Sequence, residues 1–223
     1  ESLDLEVIRP TGNVFAREGG IRLLQGNLGR SLIKTSAVDP ERHHITAPAV
    51  VISHQDELRP LFERGELDRD CVIVVRFQGP AANGMPELHQ LMPTLGVLQD
   101  RGHAVALVTD GRLSGASGKV PAAIHVTPEA AKGGSIARIQ NGDVISLNVT
   151  TGALSVALED NAFANRPHAE PPAEKHTVGR GLFAFSRKVV SDAECGGCTL
   201  FGPPIIDASS ETERSQAAAY EHC

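Results

Sequence analysis

Tryptophan is absent from this 223-residue chain, tyrosine occurs once, and all aromatic residues together make up 4%. Any core must therefore be packed mainly from Val, Ile, Leu and Ala. The apolar share of 41% suffices for one sizeable core, or one domain with a tail. No apolar run approaches the roughly 20 residues of a membrane-spanning helix. The start, Glu1-Ser2-Leu3-Asp4, has neither the basic nor the apolar stretch of a secretory leader. An initiator methionine is lacking too, so the expectation is a trimmed chain or a piece of a longer one. Positive charge is also short, with 21 Lys and Arg against 27 Asp and Glu and a formal net charge of -6. That balance argues against a nucleic-acid partner held by phosphate attraction, and nothing points to a membrane partner.

Cysteines number four. Cys71 opens the run Cys71-Val72-Ile73-Val74-Val75 and reads as a core residue. Cys195-Gly196-Gly197-Cys198 has the spacing of half a zinc or redox site. A zinc ribbon needs a second pair, which the chain lacks, so this pair reads as incidental. Such sparse cysteine usage fits a reduced, cytoplasmic setting.

Strand patterns occupy residues 5–8, 21–24, 49–52, 72–76, 104–108, 135–139, 144–149 and 154–158. Asn141-Gly142-Asp143 and Thr150-Thr151-Gly152 are turn signals, so the stretch 136–158 reads as an antiparallel meander. Helical patterns cover residues 55–64 and 87–100, and Thr127-Pro128 reads as a helix start with Thr as N-cap. Mixed strands with few helices imply an α/β domain of two sheet layers and one helical layer over residues 1–165. Residues 166–206 read as a proline-rich linker with a short docking helix that presents Leu182, Phe185 and Val189. Residues 207–223 are polar and are expected to be disordered.

The loop most suggestive of chemistry is Thr109-Asp110-Gly111-Arg112-Leu113-Ser114-Gly115-Ala116-Ser117-Gly118-Lys119, directly after an apolar strand. Its glycines let backbone approach a ligand, and its hydroxyls and cations suit an anion. It is either that or a tight surface turn. A P-loop is excluded, because Leu113 and Val120 stand where Gly and Ser or Thr belong. The nucleophile-elbow spacing is absent around Ser114. A serine hydroxyl needs a metal or aimed donors before it can act as base or nucleophile. A second segment, Gly84-Met85-Pro86-Glu87, also follows a buried strand. Glu87 there is either a helix-start carboxylate or a ligand for a hard cation. In a third, Gly26-Asn27-Leu28-Gly29-Arg30, Asn27 serves a turn or a ligand. His125 reads as structural.

Taken in order, Gly84-Met85-Pro86-Glu87, Thr109-Asp110-Gly111-Arg112-Leu113-Ser114-Gly115 and His125-Val126-Thr127-Pro128-Glu129-Ala130 resemble the C-terminal domain of the dihydroxy-acid and phosphogluconate dehydratase family, over about residues 19–158. The segments around Asn27 and Ser114–Pro121 are most similar to the phosphogluconate branch. The resemblance implies a swivelling three-layer β/β/α domain with a mixed, barrel-like sheet core of the aconitase type. It implies a lyase that dehydrates 6-phospho-D-gluconate to 2-dehydro-3-deoxy-6-phosphogluconate in the Entner-Doudoroff pathway. The implied cofactors are an iron–sulfur cluster of the 4Fe-4S kind, with ligands outside this chain, and Mg²⁺. Ser114 is the implied base and Glu87 the implied Mg²⁺ ligand. Lys119 and Ser117, then Arg112, are candidates for the substrate phosphate, with Asn27 as a further substrate contact.

The family's cluster cysteines lie in an N-terminal domain, so the expectation is a fragment that is inactive alone. Its partners would be that domain, a small sugar-acid phosphate and, in the full-length enzyme, a second copy. Apolar surface normally covered by the N-terminal domain should then be exposed. The competing readings are a sibling acting on a dihydroxy acid or an unphosphorylated sugar acid, and a binding module for anionic sugars without chemistry.

Overall fold

Two five-residue runs, Cys71–Val75 and Val105–Thr109, are buried at every position, and they organise the molecule. Cys71, Ile73, Val75, Val105 and Leu107 face one core, while Val72, Val74, Ala106 and Val108 face another. A strand buried on both faces has no need of apolar/polar alternation. The computed structural model describes residues 2–16, 19–114, 118–173 and 177–200.

Eight strands close into a barrel: β1 (Ile21–Gly26), β2 (Gly29–Lys34), β3 (His44–Ile52), β4 (Cys71–Val75), β5 (Val105–Thr109), β6 (Ala122–Thr127), β7 (Val144–Asn148) and β8 (Ala153–Val156). Their order around it is β1-β2-β6-β5-β4-β3-β7-β8. Strands β3, β4, β5 and β6 run parallel, in registers such as Val72 opposite Ala106, and the other ladders are antiparallel apart from the single β1–β8 pairing. The barrel interior holds one core, including Leu24, Ile33, Val74, Val108 and Leu147. The outer face of β3–β5 holds the second core against α1 (Leu58–Glu63) and α3 (Leu91–Asp100). Leu91, Leu95 and Leu98 are fully buried there, each contributing about 2 kcal/mol by area removed from water. The expected α/β class with a mixed, barrel-like sheet is what the chain adopts.

Several expected elements differ. Residues 5–8 form turns with exposed Leu5, Val7 and Ile8, because no strand edge lies alongside to pair with them. Ser135–Arg138 is a 3-10 turn, so the meander reduces to the β7–β8 hairpin. Ile136 and Ala137 are consecutive and both buried, which an alternating strand does not allow. Thr127 caps no helix. It pairs with Arg30 as the last residue of β6, and its hydroxyl donates to the His125 carbonyl at 3.0 Å. The helix expected from Glu87 begins only at Leu91.

Beyond the barrel, α2 (Pro80–Asn83), α4 (Asp160–Ala164), α5 (Val178–Leu182) and α6 (Ala184–Val189) are short. The chain after α4 lies along the barrel: Lys132 Nζ donates to the Val190 carbonyl at 3.1 Å and pairs with Asp192. Leu182, Phe183 and Phe185 remain exposed. The expected tail, residues 207–223, lies outside the described residues.

Candidate active site

Parallel strands deliver their loops to one end of a barrel, so the loops after β4, β5 and β6 meet there. The segment Asp110-Gly111-Arg112 binds them together. Asp110 is completely buried and accepts backbone N–H groups from both neighbouring loops: Phe77 at 3.1 Å and Gln78 at 2.9 Å after β4, and Ala130 at 2.9 Å after β6. Burial pushes its carboxyl up to about 6, against the pull of the Gln78, Ala130 and Phe77 amides, and Glu129 nearby adds to the rise.

Among the described residues, three non-glycine residues have positive φ: Phe77 at 62°, Met85 at 53° and His125 at 56°. Left-handed backbone costs such residues about 1–2 kcal/mol each. Each is pinned by one member of the same tripeptide. Phe77 N–H donates to the Asp110 carboxylate. His125 N–H donates to the Gly111 carbonyl at 2.9 Å. The Met85 carbonyl accepts from Arg112 Nε at 2.7 Å. Strained backbone gathered at one loop cluster points to a functional site.

Glu87 sits where these loops touch. Its backbone pairs with that of Arg112, its Oε2 accepts from Arg112 Nη1 at 2.8 Å, and its Oε1 accepts from the Ser114 N–H at 2.7 Å. The helix-start alternative for Glu87 falls, since α3 begins four residues later. Glu87, Ser114 and Lys119 line a shared open depression of about 690 Å³ with His89 and Met92. Arg112 and His125 line a second cavity on the other side. Burial, and then the Arg112 charge, hold the His125 imidazole pKa down.

The remaining candidates are placed differently. Lys119 Nζ lies 3.0 Å from Asp100 Oδ1, in an exposed pair. Asn27 binds within the fold: its Oδ1 accepts from Val156 N–H at 2.8 Å, and its Nδ2 donates to the Val156 carbonyl at 3.0 Å and to the Asp160 carboxylate at 3.3 Å. It thereby ties the β1–β2 turn to the end of β8. Ser117 lies outside the described residues.

Asp110 and Glu129 are not among the site residues expected from the sequence. Glu129 is 3% exposed and accepts from the Ala81 and Ala82 N–H groups at 2.8 and 2.9 Å. The signal for both is an acid within two residues of the end of a strand, where a buried carboxylate must find donors.

Among the described residues no group of three His, Cys, Asp or Glu gathers as a metal site. Glu87, a hard oxygen donor beside Ser114, fits one place in a Mg²⁺ shell, an ion that often takes only one or two protein carboxylates. An iron–sulfur cluster does not fit the described residues: no three cysteines gather among them, and burial pushes the Cys71 thiol up to about 11. No helix of the described residues is long and apolar enough to cross a membrane.

The chain is similar to the phosphogluconate dehydratases of Escherichia coli K12, 54% identical over 204 residues, and Zymomonas mobilis, 52% identical over 198 residues. These alignments cover 90% and 89% of this chain but 34% and 33% of the relatives. The dihydroxy-acid dehydratase of Archaeoglobus fulgidus is 37% identical over 198 residues, covering 87% of this chain and 35% of the relative. The chain thus spans about a third of the length of these curated relatives. The family model for the C-terminal part of dihydroxy-acid and 6-phosphogluconate dehydratases matches residues 6–197, and the chain belongs to that family.

Proposed function

We propose that this chain forms one side of the active site of a hydro-lyase that converts 6-phospho-D-gluconate to 2-dehydro-3-deoxy-6-phosphogluconate. The observation that carries the reading is the Glu87 carboxylate held between Arg112 and the backbone of Ser114. Higher identity to the phosphogluconate dehydratases than to the dihydroxy-acid enzyme favours the phosphorylated substrate.

In the proposed reaction Ser114 Oγ takes the proton from C2. The electron pair forms the C2–C3 double bond as the C3–O bond breaks, the proton taken by Ser114 passes to the departing hydroxide to give water, and the resulting enol becomes the 2-keto product. Glu87 serves as one ligand of Mg²⁺, which when bound lowers the pKa of both the serine and the C2 proton by taking up negative charge. Arg112 keeps Glu87 oriented and, with Lys119, offers cations to the substrate's anionic groups. Departure of the C3 hydroxyl is assigned to residues outside 1–223, where the iron–sulfur cluster of the family reading would be bound. The chain alone is therefore proposed to be inactive, with the rest of such a protein as its partner and a homodimeric, cytoplasmic enzyme as the working form.

The test is turnover by a protein of the relatives' length on 6-phosphogluconate, gluconate and a 2,3-dihydroxy carboxylate. Preference for 6-phosphogluconate supports the reading, and preference for a dihydroxy acid transfers the chain to the sibling branch. Dehydration of 6-phosphogluconate by residues 1–223 alone would overturn the division of the site. Binding without turnover by the longer protein would leave a sugar-acid binding module.

A further inference from the structure

The stretch carrying α5 and α6 encloses, with the barrel, a cavity that the proposed chemistry does not use. It measures about 800 Å³, within the range of small-molecule sites. Arg112 and His125 line it from the barrel, and Arg180, Ser186 and Arg187 line it from the α5–α6 arm. Its described lining holds three arginines and neither Asp nor Glu, in a chain of net charge -6. Guanidinium forks match phosphate oxygens.

The arginines are built into the fold. Arg180 Nη1 donates to Asn83 Oδ1 at 3.2 Å and to the Ala82 carbonyl at 3.4 Å. Arg187 Nη2 donates to the Arg180 carbonyl at 2.9 Å. Thr177 Oγ1 caps α5 by accepting from the Arg180 N–H at 3.2 Å. Side chains already ordered lose less entropy when they bind an anion. Arg112 lines this cavity and pairs with Glu87, which lines the Ser114 depression, so the two adjoin at that ion pair.

We propose that this cavity takes the phosphomonoester end of the substrate, with Arg180 and Arg187 as its ligands, while the carboxylate end lies at Glu87 and Ser114. The inference rests on the dehydratase reading and deepens it by separating the substrate's two anions. It moves the phosphate away from Lys119, which is paired with Asp100.

The test is an amide NMR titration of the 223-residue chain with inorganic phosphate, 6-phosphogluconate and gluconate, which needs no turnover and can fail independently of the activity assay. Shifts are expected at Gly179, Ser186 and Gly196 for both phosphates. Gluconate should bind at least about tenfold more weakly, the scale of one lost charged contact. Arg187→Gln should weaken phosphate binding by a similar factor, Arg187→Lys by less, and Arg59→Gln, on the exposed surface of α1, not at all. A two-dimensional amide spectrum of each variant checks that its fold is unchanged. Shifts confined to Gly118–Val120 and abolished by Lys119→Gln, or no phosphate response in this cavity, would overturn the proposal.

Discussion

Arg112 and Glu87 meet twice, once through a parallel backbone pairing and once through Arg112 Nη1 at 2.8 Å from Glu87 Oε2. The double contact locks the loop after β4 to the loop after β5 and leaves the serine backbone on the second carboxylate oxygen. The side chains are 47% and 26% exposed, so the ion pair itself contributes at most about 1 kcal/mol. Glu87→Gln should therefore lower Tm by only about 2–4 °C. In a protein of the relatives' length it should cut dehydration by about 10²–10³-fold, the scale for one preorganised charge at a reacting group. Thermal melts and turnover, measured side by side, separate the two effects.

Asp110 gives a pH signature of defined sign. Its carboxyl rises from an ordinary value of 3.8 to about 6 on folding, so the folded state holds this proton more tightly than the unfolded chain. The stability from this group is fully present below about pH 4 and is lost as pH rises through about 6, a change of about 3 kcal/mol. Urea unfolding of the wild type and of Asp110→Asn between pH 4 and 7 should give a difference that closes along this window. Parallel curves would contradict it.

Replacing the same residue by alanine strands the Phe77, Gln78 and Ala130 N–H groups. Each buried unpaired donor costs about 1–3 kcal/mol, so Asp110→Ala should lose at least about 3 kcal/mol in urea unfolding.

The doubly buried strands were legible because runs such as Val72–Val75 leave no polar face to expose. Glu87 and Ser114 stand out in the sequence as candidates because carboxylate and hydroxyl follow strand ends in glycine-rich segments. Their meeting was not legible, since it depends on β4 and β5 being neighbours in register, a long-range fact. Asp110 hid for the same reason: its three donors come from segments up to 33 residues away in sequence. Asn27 shows the converse, a turn residue whose amide proves to hold β8. The turn at Ser135–Arg138 escaped because a short apolar pattern suits both strand and 3-10 geometry until its neighbours are known.

Gly79 marks a close approach. A Cβ there would fall 2.7 Å from the Glu129 Cβ, against the carboxylate that holds the α2 amides. Gly79→Ala should cost about 1–3 kcal/mol, as overpacking does, while a surface control such as Gly65→Asn, with φ 73° and nothing nearby, should cost less. Chemical denaturation of both variants checks the ordering.

Cys71 is buried, and burial raises its thiol to about 11. A thiol reagent at pH 8 should leave it unmodified in the folded chain and modify it under denaturing conditions, as peptide mass spectrometry would read out. Fast labelling of the native chain would contradict the packing of β4.

The central claim is that Ser114 removes the C2 proton. It is tested by single-turnover dehydration of 6-phosphogluconate by Ser114→Ala, in a protein of the relatives' length with substrate binding measured in parallel. The account predicts a loss of about 10²–10⁴-fold in rate, the usual worth of a positioned base, with affinity changed by less than about threefold. A variant that turns over at close to the wild-type rate would contradict it.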